Sequence, residues 1–318
     1  MSNLKDITTR VKSIENIRKI TKAMELVSIS KMRRATEAVL ASREYARTLW
    51  AAIDILSKKV SKKAHPLLFA QKKMKRALLI VFSSDRGLCG SFNTELFQKV
   101  SQLLQVLGEE CRAEFVTIGK KGSERAVRQK WNMIASFDNL SVMPDFNDVS
   151  AIARVAIEGF LGKKYDRVFL VYTDYISTIK QKSVIHELLP VTSNKSLGDV
   201  ETNMKKAPIS PERSEVAKSS VPTKEGAPKW NFSFKFEPSK DTVLEFILPR
   251  AVQVEIYQAL LESIASEQAA RMVAMKNASD AASDIKDELQ LAYNGLRQGA
   301  ITREIAEISA GKAVLEQV

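Results

Sequence analysis

The sequence is short of the residues that most chemistry needs, with 2 cysteines and 2 histidines in 318 residues. Cys89 and Cys111 are too far apart for a CxxC motif and too few for a disulfide framework or a cysteine zinc site, which fits a reducing compartment. His65, just before Pro66, and His186, in a strand-like run, read as structural residues. A Ser/His/Asp triad or a histidine metal site therefore has few places to come from. No apolar run approaches the roughly 18 residues that cross a bilayer, the longest being Ala77 to Phe82, so any membrane association runs through a partner. The opening Met1-Ser2-Asn3-Leu4-Lys5-Asp6 lacks the basic patch, apolar core and small-residue cleavage site of a secretory signal, and reads as a mature cytoplasmic start.

Neither proline nor glycine occurs before Pro66, and residues 4 to 60 read as one long helix. Leu4, Ile7, Val11 and Ile14 are spaced 3-4-3, and Ile17, Ile20, Met24 and Val27 repeat that spacing after a skip. A helix of this pattern and length argues for a coiled coil whose supercoil is altered at the skip. Residues 1 to 63 contain 15 Lys+Arg against 6 Asp+Glu, a net of +9 within a chain total of +12. Such a balance calls for an acidic partner: nucleic acid, an anionic surface or an acidic protein. On charge alone Lys31, Arg33, Arg34, Arg43 and Arg47 read as a solvated helix face. The nucleic-acid reading lacks interleaved aromatics, since only Tyr45 and Trp50 fall in this helix.

From Arg76 the period changes. Strands are expected at 77 to 82, 113 to 118, 133 to 137 and 167 to 173, alternating with helices at 96 to 107, 122 to 130 and 147 to 161. This alternation argues for an α/β domain with a parallel, doubly wound sheet. Lys182 to Pro190 and Asn231 to Phe236 look like further edge strands. The turn Asp85-Arg86-Gly87-Leu88-Cys89-Gly90 offers glycines at a strand-to-helix junction, where amides can cradle a phosphate. Neither it nor Gly119-Lys120-Lys121-Gly122-Ser123 fits GxGxxG or GxxxxGK[ST], and both read as structural turns. Residues 193 to 229, rich in Pro, Ser and Lys, read as a flexible surface insertion.

The last helix is expected from Asp241, with Thr242-x-x-Glu245 as a capping box and Pro249 as a kink or restart. Seven alanines between Ala265 and Ala282 favour helix and close helix approach. Residues 239 to 318 contain 8 Lys+Arg and 12 Asp+Glu, a net of −4. Two long helices of opposite sign around one globular domain pair most simply as an antiparallel coiled coil, roughly 90 Å long from Arg250 to Ile308. The expected division is 1–63 N-terminal coiled-coil helix, 75–238 Rossmann-like α/β domain carrying the insertion, and 239–318 C-terminal coiled-coil helix. In Ile301 to Ile308, closed by Ser309-Ala310-Gly311, the apolar Ile301, Ile305 and Ile308 form one stripe, expected to pack on the first helix.

The motif Ile301-Thr302-x-Glu304-x-x-Glu307-Ile308-x-x-Gly311 resembles the C-terminal motif of the gamma subunits of F-type ATP synthases. Lys19-Ile20-Thr21-Lys22-Ala23-Met24-Glu25-Leu26-Val27-x-x-x-Lys31-Met32-Arg33 resembles their N-terminal motif, and Ser84 to Gly90 their first strand-to-helix turn. Ala265-Ser266-Glu267-Gln268-Ala269-Ala270-Arg271-Met272 is a fourth such block, and the resemblance runs along the whole chain except the insertion. It implies a central rotor shaft with no cofactor and no catalytic residue of its own, working in ATP synthesis and hydrolysis coupled to proton transport. The implied partners are the alpha and beta subunits of the catalytic hexamer, an epsilon subunit and a c-subunit ring, with the membrane touched only indirectly and no nucleic acid. The implied location is peripheral, on the cytoplasmic face of a bacterial plasma membrane or on the matrix side of the mitochondrial inner membrane.

The resemblance also turns the basic face at Arg33 and Arg34 into a contact with an acidic loop on beta. It carries coupling roles to Met24, Arg271, Gln298, Thr302 and Glu304, and a c-ring foot to Phe234 and Phe236. Met24 lies on the apolar stripe, where core packing and a coupling contact are both open. The chloroplast members carry a cysteine pair in their insertion, whereas 193–229 has no cysteine, so thiol regulation there is excluded. Two rival readings are a Rossmann-like nucleotide-binding protein with helical arms and a nucleic-acid binder using the basic helix.

Overall fold

The computed structural model describes residues 2–59, 65–68, 74–108, 110–140, 144–191, 237 and 239–315. Helix α1 runs Ser2–Lys59 and α5 runs Lys240–Leu315. Between them lie β1 (Arg76–Phe82), α2 (Phe92–Leu107), β2 (Arg112–Ile118), α3 (Lys120–Arg128), β3 (Asn132–Phe137), α4 (Ser150–Leu161), β4 (Arg167–Tyr175) and β5 (Gln181–Leu189). The chain divides into two compact units, one of Met1–Ser30, Leu88–Gly90 and Arg271–Val318, the other of Lys31–Gly87 and Ser91–Ala270.

In the larger unit the sheet order is β3-β2-β1-β4-β5. β1 to β4 pair parallel, but β5 pairs antiparallel with β4, from Val168 opposite Leu189 to Tyr175 opposite Gln181. The sheet is therefore mixed, parallel over β1 to β4 as expected, with the edge strand β5 antiparallel. The reason is the connection: Ile176 to Lys180 is too short for a crossover helix, so the strand that follows must return beside β4 as a hairpin. The other strands and α2, α3 and α4 lie where hydrophobic period placed them. The expected strand Asn231 to Phe236 and the insertion 193–229 lie outside the described residues.

Alternate residues of β1 sort into two cores. Leu78, Ile80 and Phe82 share a cluster with Ile152 and Ala156 of α4, Ala35, Val39, Ile53 and Leu56 of α1, and Leu248, Val252, Ile256 and Ala259 of α5. Ala77, Leu79 and Val81 face Leu96, Val100 and Leu103 of α2, while Trp131 stacks on Phe115 at 4.6 Å. With both faces covered, the central strand reads as an unbroken apolar run, as a buried parallel strand must.

Two expectations about α5 need correction. Its first turn is capped by Ser239, whose hydroxyl accepts from the Thr242 N–H at 3.2 Å, so Thr242 is inside the helix and is not its cap. The helix also continues through Pro249 without restarting. Leu248, Ala251 and Val252 around it are fully buried, and that packing outweighs one absent backbone donor.

In the smaller unit the inward seam of α1 does not skip. After the half-buried Leu4, Ile7, Val11 and Ile14 it continues at the same 3-4 spacing through Arg18, Thr21, Glu25 and Ser28. Glu25 and Ser28 are 7% and 2% exposed, whereas Ile17, Ile20 and Val27 are 46%, 59% and 55% exposed. The seam is thus polar where the sequence's apolar residues turn outward. The Ser28 hydroxyl donates to the Met24 carbonyl at 2.8 Å, and Lys22 pairs with Glu25 at 3.0 Å, which lets these side chains sit inward without orphaned polar atoms.

Candidate functional site

The glycine turns after β1 and after β2 were the places where phosphate chemistry could have been built. The amides of the second, which open α3, are used by residues leading into the first. Ser83 Oγ accepts from the Gly122 N–H at 2.7 Å and donates to the Ile118 carbonyl at 2.8 Å. The Lys121 N–H donates to the Ser84 carbonyl at 3.0 Å, and the Lys120 N–H to Asp85 Oδ1 at 3.2 Å. The positive end of α3 thus receives a carboxylate from its own chain, the role a phosphate plays in nucleotide-binding turns. The glycines serve this close packing: Gly119 has φ +89°, and a Cβ there would stand 2.3 Å from the Ser83 carbonyl oxygen. Above the turn, Leu260, Ser263, Ile264 and Glu267 of α5 line the crevice between the ends of β1 and β2, with Ser263 donating to the Phe82 carbonyl at 3.3 Å.

The residues singled out from sequence fall into separate groups. Arg33 and Arg34 are exposed on α1, and Met24 is half-buried beside the outward Ile17, Ile20 and Val27. Arg271 is 7% exposed, closing an almost continuously buried run of α5 from Leu261. Gln298, Thr302 and Glu304 are exposed together, with the Thr302 hydroxyl donating to the Gln298 carbonyl at 3.0 Å. Phe234 and Phe236 lie outside the described residues. Ile301, Ile305 and Ile308 are 47%, 59% and 66% exposed, and every side chain from 295 to 309 is exposed. The closing stripe therefore does not pack on the first helix, which corrects that expectation. Among the described residues its apolar face is open.

A buried polar seam in the larger unit escaped the sequence reading. Arg43 reaches Glu262 at 3.3 Å, Gln258 donates to Glu262 at 2.8 Å, and Ser42 hydrogen-bonds Gln258. Burial, with Asp174 nearby, pushes the Glu262 carboxyl up to about 7. Further along α5, Glu255 pairs with His186 of β5, both almost fully buried. Ser266 donates to the Thr173 carbonyl at 3.0 Å. The signal was present as Glu255 and Glu262, two turns apart in a largely apolar stretch that also holds Gln258. Charged residues on a buried stripe require partners, and periodicity names no partner.

In the smaller unit, Glu15 lies between Arg18 at 2.9 Å and Lys286 of α5 at 2.9 Å. These two cations hold its carboxyl down at about 2. His65 accepts from the Leu67 N–H at 3.2 Å through Nδ1, a turn-forming role.

A family profile described as ATP synthase matches residues 3–315. The ATP synthase gamma chain of Stenotrophomonas maltophilia is 37% identical over 318 residues, spanning 99% of this chain and all of that protein. That of Roseiflexus castenholzii is 36% identical over 320 residues and spans both chains fully. A solved chain from the Tetrahymena thermophila mitochondrial ATP synthase central stalk and c ring superposes with a TM-score of 0.55 at 26% identity, covering 82% of this chain and 99% of that one. A chain of the Euglena gracilis mitochondrial ATP synthase, in an OSCP, F1 and c-ring assembly, shares the fold with a TM-score of 0.62 at 18% identity, covering 99% and 95%.

Proposed function

This chain belongs to the ATP synthase gamma chain family, and from that premise we propose that it is the central rotating shaft of a proton-translocating F-type ATP synthase. In this reading it couples rotation of a membrane c ring to conformational change at catalytic sites on beta subunits, and carries no catalytic group itself. Residues 1–63 and 239–318 form an antiparallel coiled coil around a Rossmann-like domain at 75–238. The cross-helix contacts Glu15 to Lys286 and Ser42 to Gln258 support opposite chain directions. Continued residue for residue from Glu15 and Lys286, that pairing brings Ser2 beside about residue 299 of α5. The exposed stretch beyond is the part offered to the alpha and beta subunits.

The observation that carries the reading is the inverted pattern of α1, with polar residues at the seam and Ile17, Ile20, Leu26 and Val27 turned outward. A contiguous exposed apolar stripe of this kind marks an interaction site. Met24, Arg33 and Arg34 flank the stripe and contact beta, Arg33 and Arg34 through an acidic loop. Gln298, Thr302 and Glu304 contact the top of the hexamer. Arg271, being buried, acts by fixing the helix on which such contacts are mounted. A shaft whose faces differ in this way biases three chemically identical beta subunits into different conformations, and rotation permutes the biases. Epsilon and the c ring are the expected partners at the globular domain, with Phe234 and Phe236 in the foot, at the cytoplasmic face of a bacterial plasma membrane. Among the described residues no helix is long and apolar enough to cross a membrane.

The test is reconstitution. The purified chain mixed with alpha and beta subunits should restore ATP hydrolysis, and Ile20→Asp with Val27→Asp should weaken co-assembly without lowering the thermal midpoint. Failure of the unmodified chain to co-assemble would sink the reading.

A further inference from the structure

The parallel strands of the larger unit begin on a row of cations. β1, β2 and β4 open with Arg76, Arg112 and Arg167, and the pairing sets Arg76 opposite Arg112 and Ala77 opposite Arg167. Lys75 precedes β1, while Lys163 and Lys164 precede β4 in the turn leaving α4. The Arg76 guanidinium donates to the Lys163 carbonyl at 2.7 Å, which holds these two basic residues side by side. Like charges on neighbouring strands a few ångströms apart repel, so this arrangement costs stability unless an anion is shared.

Three carboxylates at this rim have partners of their own, Glu114 also feeling Arg76, while Glu110 lies two residues before Arg112. Asp166, 4% exposed, accepts from the Lys75 and Arg76 N–H groups at 2.8 and 2.9 Å. Glu114 pairs with Lys164 at 2.7 Å and accepts from the Tyr165 hydroxyl, and Glu187 pairs with Arg167. Lys75, Arg76, Arg112 and Lys163 are exposed, and among the described residues no carboxylate lies within salt-bridge distance of them. The sequence entering β1 has the same sign: from Lys58 to Arg76 it contains 8 Lys or Arg and no Asp or Glu.

We propose that this basic rim binds the anionic phospholipid headgroups of a membrane surface. Strand ends make a rim with cations spread over several positions, suited to several headgroups at once. Among the described residues the rings at this end of the sheet are Tyr165, 2% exposed, and Trp131, already stacked on Phe115, so neither offers a free platform for nucleic-acid bases. Four exposed cations beside an anionic leaflet correspond to a partition gain of roughly a thousandfold over a neutral one. The proposal rests on the rotor reading only for the presence of a membrane near the globular domain.

Flotation of the full-length chain with phosphatidylcholine vesicles, and with vesicles containing one third phosphatidylglycerol, tests it without alpha or beta subunits. Vesicle binding and co-assembly can therefore fail independently. The chain should float only with the anionic vesicles. Charge reversal at Lys75, Arg76, Arg112 and Lys163 should abolish flotation, and Gln at the same four positions, checked for native circular dichroism, should weaken it by roughly a thousandfold. Reversal of four exposed cations elsewhere, Lys12, Lys120, Lys180 and Lys276, should leave it within about threefold, because leaflet attraction decays within a Debye length. Equal loss in that control set would overturn the proposal in favour of net charge alone. Equal flotation with both vesicle types, or displacement by inorganic phosphate at constant ionic strength, would overturn it as well.

Discussion

Glu262 shows how a single carboxyl in the interface between helix and sheet makes stability depend on pH. The folded chain keeps its proton up to about pH 7, whereas the unfolded chain releases it near the ordinary 4.5. Between these values the folded state binds more protons, so this group's contribution to stability falls as pH rises through that window. His65, held down by burial, acts oppositely near its ordinary 6.5, since the folded state disfavours its charged form. Comparing parent and variant removes that background. Glu262→Gln keeps an oxygen that accepts from Arg43 and Gln258, so its urea midpoint should match the parent near pH 4.5 and exceed it at about pH 8. Gly119 is a second residue whose role is local. With φ +89° and the Ser83 carbonyl 2.3 Å from any added Cβ, Gly119→Ala should lower stability by about 2–4 kcal/mol, read by equilibrium unfolding.

At the scale of the element, α1 joins two kinds of surface in one helix. In its first half the seam is held by Thr21, Glu25 and Ser28, while in its second half Ala35, Val39, Ile53 and Leu56 enter the main core. The second half is held by hydrophobic burial, worth about 25 cal/mol per Å². The first half has exchanged some of that for an outward apolar stripe. Arg33 and Arg34 are exposed where the two halves meet. Arg33→Glu with Arg34→Glu should therefore leave the thermal midpoint unchanged and reduce ATP-driven proton pumping in reconstituted membranes. A fall in midpoint with pumping preserved would assign these residues to folding and remove them from coupling.

For the molecule as a whole, stability and assembly should separate at the end of α5. All side chains from 295 to 309 are exposed, so among those residues a truncation after Ala300 removes little buried area. Its unfolding free energy should change by less than about 1 kcal/mol, while its ability to restore hydrolysis to alpha and beta subunits falls. The charge division has the same logic: +9 in residues 1–63 against −4 in residues 239–318 leaves an excess that the chain does not neutralise internally. It is available to acidic neighbours.

The sequence by itself determined the elements and the family. Hydrophobic period marked α1, α5 and the five strands within a few residues, because burial on one helical face or on both faces of a sheet leaves a periodic trace. The motifs around Met24, Arg271 and Thr302 carried the family resemblance. Only tertiary structure decided which neighbours meet. The antiparallel return of β5 followed from a short hairpin, and the capture of the α3 amides by Ser83 and Asp85 came from residues more than thirty positions away. The polar seam of α1, the buried Glu262 and the row of arginines at the strand starts have the same origin. Each depends on contacts between distant segments, and a one-dimensional pattern records how often a residue type recurs without recording what it will face.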